Sequence, residues 1–253
     1  MKLFASDFDG TLSCGGVSEA NKDAIRRFRE AGNVFGVVTG RSPGGSVGIF
    51  REVDLDFVLC CNGAALGYPD GTGETLASYP SAVMRDLFAI AVASGSIGFG
   101  PQSVTESVWI ESADENGAAK LEEFIAGNER ACQCNMVFGG NAESARLTAA
   151  RINAEYGDTV NALQNGGSVD IPPRGIDKGV GVRLLAARLG VAEGDVFAAG
   201  DQMNDYAMVS AFCGFAMAHA PEALRAAAKH TVATVAEALE MAGTGSLHSK
   251  RQG

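Results

Sequence analysis

Apolar residues along this chain fall into two arrangements, and the change between them divides it. Toward both ends they form short unbroken runs: "KLFAS" from Lys2, "NVFGVVTGR" from Asn33, "DFVLCCNGA" from Asp56, "DVFAAGD" from Asp195 and "GFAM" from Gly214. Runs without polar alternation suit strands buried on both faces of a parallel sheet. Helical periods lie between them. "SEANKDAIRRFREAG" predicts a helix with Ser18 as N-cap, Ala24, Ile25, Phe28 and Ala31 on one face, and Gly32 as its stop. "IDKGVGVRLLAARLG" predicts a second ending at Gly190, and Pro221 with Glu222 opens a third, before a last short strand in "TVATV". Strand and helix alternating in this way predict an α/β, doubly wound, Rossmann-like parallel sheet.

From about Ser78 to Val169 the pattern is mixed. Helices are expected near "AVMRDLFAIAVAS" and "NGAAKLEEFIA", an alternating strand in "ESVWIES", and further segments in "CQCNMVFGG" and "ESARLTAARINAEYG". This predicts an α+β domain, residues 80–169, inserted between two parts of a core, 1–79 and 170–253. "GFGPQS" has a superficial likeness to a phosphate loop, but it does not join a strand to a helix in a βαβ unit and is set aside. The polar stretch 244–253 is expected to fray.

Composition narrows the function. With 253 residues, 46% of them hydrophobic, the chain can bury a sizeable core. No run approaches the roughly 20 apolar residues of a membrane span. The N-terminal apolar run is too short for a secretory signal, so a cytoplasmic protein is expected. Thirty acids against 20 bases give a net charge of −10, which argues against nucleic acid or an anionic membrane as partner. The six cysteines form no CxxC pair, and Cys132-Gln133-Cys134 is a weak candidate for a soft metal. Buried thiols are the expectation.

Chemistry concentrates where the strands end. Asp7 and Asp9, one residue apart, follow the first strand. Thr39 follows the second, Asn62 the third, and Asp201, Asn204 and Asp205 the fourth; Lys178 opens the helix before that fourth strand. Ligands of a parallel sheet bind outside these carboxyl ends. Two carboxylates 4 Å apart repel by about 4 kcal/mol at an effective dielectric near 20, which a divalent cation would offset. Hard oxygen ligands suit Mg²⁺, which also binds substrate phosphates. Lys178 opposes its own helix dipole by up to ~1 kcal/mol, so an anion that it holds explains it better than helix stability. Asp7 is then placed to act as a nucleophile on phosphorus, with Asp9 as the acid and base.

Asp7-Phe8-Asp9-Gly10-Thr11, Thr39-Gly40-Arg41, Asp177-Lys178-Gly179 and Gly200-Asp201-Gln202-Met203-Asn204-Asp205 resemble, in chain order, the four motifs of the haloacid dehalogenase superfamily. The position of the insert resembles the Cof-type sugar-phosphate phosphatases, the branch with a large C2-type cap. The resemblance implies Asp7 as nucleophile and Asp9 as general acid/base. It implies Mg²⁺ held by the Asp7 carboxylate, the Asp9 backbone carbonyl and Asp201, with Asp205 in or near the shell. Thr39, Gly40, Arg41, Lys178 and Asn204 would bind the phosphoryl group, with Asn62 and Gly63 lining the entrance. His219 departs from the usual asparagine and is expected at the pocket rim.

The leading expectation is a Mg²⁺-dependent phosphatase of a small phosphorylated metabolite, working through an aspartyl-phosphate. The alternatives are a sugar phosphomutase and a non-catalytic phosphometabolite-binding protein. A mutase needs a basic cap for a second phosphate, whereas Pro80 to Asp170 holds twelve acids and five bases, a net of 5 − 12 = −7. A binding protein would be free to lose Asp7 or Asp9, and both are present. Uncharged sugar or polyol monophosphates are therefore expected as substrates ahead of bisphosphates and nucleotides.

Overall fold

The computed structural model of the protein describes residues 1–243; the stretch 244–253, where fraying is expected, lies outside them. The chain divides into two compact units, one made of residues 1–39, 48–59 and the segment from Lys178 onward, the other of residues 40–47 and 60–177.

In the first unit, strands β1 (Leu3–Ser6), β2 (Val34–Val38), β3 (Phe57–Cys60), β13 (Val196–Gly200), β14 (Cys213–Met217) and β15 (His230–Val232) form a parallel sheet in the order β15-β14-β13-β1-β2-β3. The chain runs outward from β1 to β2 and β3, then returns to β13 on the other side of β1. The carboxyl end of β1 is thus a switch point in strand order, where a ligand site forms. The unbroken apolar runs are buried on both faces, as their lack of alternation implies. Phe4 of β1 stacks on Phe35 of β2, Phe197 of β13 and Phe215 of β14 at 5.8 to 6.4 Å between centroids, and Phe28 meets it edge-on. Such aromatic pairs contribute ~0.5–1.5 kcal/mol each beyond the area they bury.

Helix α1 (Glu19–Glu30) starts at Ser18, whose Oγ accepts from the Asn21 N–H, and buries Asn21, Ala24, Ile25 and Phe28. Ala31, expected on that face, is exposed just past the helix end, where its N–H closes on Arg27. α1 packs against α9 (Val235–Gly243), while α6 (Lys178–Leu189) packs against α7 (Tyr206–Ala211), and α7 and α8 (Glu222–Ala227) against β14. Helix α2 (Pro43–Glu52) is not foreshadowed by the pattern. Gly44, Gly45 and Gly48 depress its helix propensity by close to 1 kcal/mol each, and the first-turn Pro43 is the signal that favours it.

The second unit contains a hairpin of β4 (Ala65–Gly67) and β5 (Gly73–Thr75), and a short pair of β6 (Tyr79–Pro80) and β9 (Arg130–Ala131). Its main sheet is antiparallel, in the order β11-β12-β10-β7-β8, from β7 (Gly98–Gln102), β8 (Ile110–Glu111), β10 (Gln133–Val137), β11 (Leu163–Asn165) and β12 (Ser168–Ile171). "GFGPQS" is therefore strand, paired on both sides, and "ESVWIES" supplies only the two residues of β8. One face of this sheet, with Phe99, Ile110, Cys134, Met136, Val169 and Ile171, forms an apolar core with α3 (Met84–Ala93), α4 (Gly117–Gly127) and α5 (Ala142–Tyr156). Among the described residues no helix is long and apolar enough to cross a membrane.

Candidate active site

At the carboxyl end of β1 the backbone turns sharply. The Asp7 N–H still donates to Ala199 of β13, continuing the ladder, while Leu12 and Ser13 donate back to the carbonyls of Asp7 and Phe8. Phe8 and Leu12 point inward and anchor the loop. Gly10 makes the turn at φ +90°, and a Cβ there would run into the Asp201 carboxylate. Glycine is required at this position both for the backbone and for the space.

Four charged groups meet beside that loop. Lys178, 1% exposed at the start of α6, donates to Asp7 Oδ1 and Asp205 Oδ1, both at 2.6 Å. Asp205 Oδ2 accepts from the Asp201 and Gln202 N–H groups at 2.9 and 3.0 Å, which closes the turn after β13. Asp201 Oδ1 accepts from Thr11 Oγ1 at 2.6 Å and Oδ2 from Gln202 Nε2 at 3.2 Å. Asp7 and Asp205 share the Lys178 ammonium, while Asp201 is held by Thr11 and Gln202.

Asp7, Asp201 and Asp205 are buried and bring one oxygen each to within 4.8 Å of the others. Fully ionised, three carboxylates and one ammonium carry a formal charge of −2, and the donor set is oxygen alone. That fits a hard divalent cation. Burial pushes the Asp7 carboxyl up to about 8, and Asp205 adds to the rise while Lys178 opposes it. For Lys178 burial acts downward, but Asp205 and Asp7 outweigh it and hold the ammonium above its ordinary value. The lysine is therefore charged.

The other expected residues are placed as follows. Asp9 lies on the same turn, exposed. Thr39 follows β2, is buried, and its N–H donates to Leu59. Asn204 sits in the turn after β13 with a buried Oδ1 that finds no donor among the described residues. His219 is half-exposed, with Nε2 3.8 Å from Asp201 Oδ2. In the second unit the Arg41 carbonyl accepts from Cys61 N–H, and Asn62 and Gly63 are fully or nearly fully buried. The structure thus joins Asp7, Lys178, Asp201 and Asp205 directly. Thr11 and Gln202 stand inside the motifs with no role foreseen, yet they orient Asp201. Gln133, the first residue of β10 and flanked by two cysteines in sequence, holds Asn62 and gave no signal of that role.

The family model of the haloacid dehalogenase-like hydrolases matches residues 4–238. The chain belongs to that family. It is 41% identical over 235 residues to a phosphoglycolate phosphatase of Pyrobaculum neutrophilum, covering 91% of this chain and 89% of that one. To the 5-amino-6-(5-phospho-D-ribitylamino)uracil phosphatase YitU of Bacillus subtilis it is 25% identical, over 92% of both. A HAD/COF-like hydrolase of Plasmodium vivax shares the fold at a TM-score of 0.78 and 20% identity, over 96% of each chain. This haloacid dehalogenase-like hydrolase is a phosphoric monoester hydrolase of the Cof type.

Proposed function

We propose that the protein hydrolyses a small monophosphorylated metabolite, a sugar or polyol phosphate first, through an aspartyl-phosphate on Asp7 with Mg²⁺ as cofactor. The observation that carries this reading is the pinned Asp7 carboxylate. One oxygen is fixed by a buried ammonium, inside a cluster whose charge calls for a cation. Asp7 and Asp201 would hold Mg²⁺ with the Asp9 carbonyl, and Asp205, occupied by Lys178 and two N–H groups, keeps the turn in shape. Bound there, the cation neutralises carboxylates and phosphoryl oxygens together.

Asp7 attacks phosphorus, and the bond from phosphorus to the leaving oxygen breaks. Asp9 gives that oxygen its proton, then takes one from the water that cleaves the acyl-phosphate, so phosphate leaves and both carboxyl groups return to their starting states. Thr39, Lys178 and Asn204 hold the phosphoryl oxygens, and the insert, residues 80–169, acts as a cap that selects the leaving group. Phosphoglycolate, the substrate named for the Pyrobaculum relative, is the second reading, favoured by that relative's identity.

Asp7→Asn should lower Mg²⁺-dependent phosphate release from p-nitrophenyl phosphate at least about a thousandfold, because an amide is a poor nucleophile and a poorer ligand. Acid quenching with labelled substrate should trap a phosphoenzyme in the wild type and none in Asp7→Asn. Undiminished turnover by the variant would sink the mechanism.

A further inference from the structure

Asn21 stands on the apolar stripe of α1, three and four residues before Ala24 and Ile25, and is 6% exposed. A buried amide costs free energy unless its ends are hydrogen-bonded. Here both ends are bonded, and they reach different parts of the first unit. Nδ2 donates to the Leu12 carbonyl at 3.2 Å, and Oδ1 accepts from the Ala236 N–H at 2.9 Å. We propose that Asn21 is a positioning residue of the phosphatase. By fixing the Leu12 carbonyl it aims the Thr11 hydroxyl at Asp201, and through that carboxylate it sets the affinity for the divalent cation. The inference rests on the metal reading above.

The partners assign the two ends of the amide. The Ala236 N–H can only donate and the Leu12 C=O can only accept, so asparagine serves both, and neither leucine nor an ionised aspartate does. The Ala236 end is explained by helix capping. Ala236 lies in the first turn of α9, where N–H groups have no partner inside the helix. Its neighbours are served locally: Thr234 Oγ1 accepts from the Glu237 N–H at 3.2 Å, and Glu237 Oε2 from the Ala233 N–H at 2.8 Å. An acceptor alone would complete that cap. The donor end of Asn21 adds nothing to it, and that end goes to the catalytic loop.

Within the loop the Leu12 N–H donates to the Asp7 carbonyl at 3.3 Å, and the Ser13 N–H to Phe8 at 2.8 Å. Both backbone groups of Leu12 are therefore taken, one by the nucleophile's own carbonyl and the other by Asn21. On the other side of Thr11 lies Gly10 at φ +90°, the residue type with the widest backbone freedom. The orientation of Thr11 is thus fixed from the Leu12 side. Thr11, itself buried, donates to Asp201 Oδ1 at 2.6 Å. Groups that hydrogen-bond a metal-binding carboxylate from behind orient it, and losing one typically weakens metal binding about ten- to a hundredfold. Asn21 acts one bond further out, on the hydroxyl that does the holding.

The test is a double-mutant cycle on Mn²⁺ affinity, read from the electron paramagnetic resonance of free Mn²⁺ with the full chain and no substrate. Thr11→Val should raise the Mn²⁺ Kd about ten- to a hundredfold, and Asn21→Leu about fivefold or more. In the Thr11→Val background Asn21→Leu should change Kd by less than about twofold, because the hydroxyl it aims is gone. Its effect on the melting temperature should persist there, since the α9 cap is lost in both backgrounds. Thr234→Ala weakens the same helix start without touching the loop; it should lower the melting temperature and leave Kd unchanged. If Asn21→Leu fails to fold, Asn21→Asp takes its place in the cycle. It keeps the acceptor for Ala236, and its negative charge attracts the cation, so weaker binding reports the lost donor. An unchanged Kd in the Asn21 variant, the same change in both backgrounds, or an equal change in Thr234→Ala makes Asn21 a helix cap alone and overturns the inference. Failure of the wild type to bind Mn²⁺ sinks the metal reading itself, and this inference with it.

Discussion

In the parallel-sheet unit four buried charged side chains, Asp7, Lys178, Asp201 and Asp205, gather at the strand ends beside the buried hydroxyls of Thr11 and Thr39. In the other unit the amides Asn62 and Gln133 are buried beside the antiparallel sheet, with Asp170 at their edge. Phosphoryl chemistry needs concentrated charge that a cation and a dianion can balance, and that charge costs desolvation whether or not a ligand is bound. Neutral amides offer directional donors and acceptors at a smaller desolvation cost. The first unit therefore stakes stability on pairing, and the second on shape.

The largest test of this contrast removes the central cation. Lys178→Met keeps the volume but leaves two buried carboxylates without their ammonium. Breaking one partner of a buried pair typically costs about 3–5 kcal/mol. The expected outcome is a loss of that size in urea melts with EDTA present, with part of it regained on adding Mg²⁺. This reverses the expectation from sequence, in which Lys178 opposed its own helix dipole and its removal relieved up to ~1 kcal/mol. The anions it holds in the structure are the protein's own carboxylates. A variant as stable as the wild type in EDTA would show that the cluster does not depend on pairing.

The parallel core was legible because its strands are unbroken apolar runs that end in acids, and each motif lies within a few consecutive residues. Asp7, Thr39, Lys178 and Asp201 could be placed at strand or helix ends from local pattern alone. The insert was less legible, since the polar face of its sheet is assembled across strands far apart in the chain. Gly100, Asn135 and Asp170 become neighbours only through register. The Gly40–Gln133–Asn62 chain spans 93 residues between its first two members. Local periodicity carries no such information. Helix α2 was missed for the opposite reason, because its three glycines argue locally against the helix that the fold imposes.

A smaller effect should separate the units by pH. Four thiols of the second unit are buried. Burial pushes Cys60 up to about 12 against a hydrogen bond from Ser46, Cys134 to about 12, and Cys132 to about 11; Cys61 also rises well above its ordinary 9.0. Unfolding returns them to that ordinary value, so above about pH 9 the unfolded chain holds fewer protons than the native one. Stability then falls as pH rises, by up to ~1.4 kcal/mol per pH unit for each thiol inside the window. Buried Tyr79 acts in the same direction. Urea midpoints under reductant at pH 8, 9.5 and 10.5 measure the slope, and Cys60→Ala with Cys134→Ala should reduce it. A flat profile would contradict the burial of these thiols. Below pH 9, Cys14, which is exposed, should be the fast-reacting cysteine toward Ellman's reagent.

The smallest effect concerns an ion pair that differs from the Lys178 cluster in one respect, its exposure. Arg85 of α3 donates through Nε and Nη2 to both oxygens of Glu122 on α4, at 2.5 and 2.6 Å, a fork geometry as good as any in the molecule. Yet the two side chains are 49% and 53% exposed. Water competes for both groups and salt screens what remains, so the strong hydrogen-bond geometry does not become strong stabilisation. Arg85→Ala should shift the melting temperature by no more than about 2 °C, and less in 0.5 M NaCl. If it instead destabilises as much as Lys178→Met, burial is not what separates the two pairs, and the contrast between a unit that depends on charge and one that does not would have to be given up.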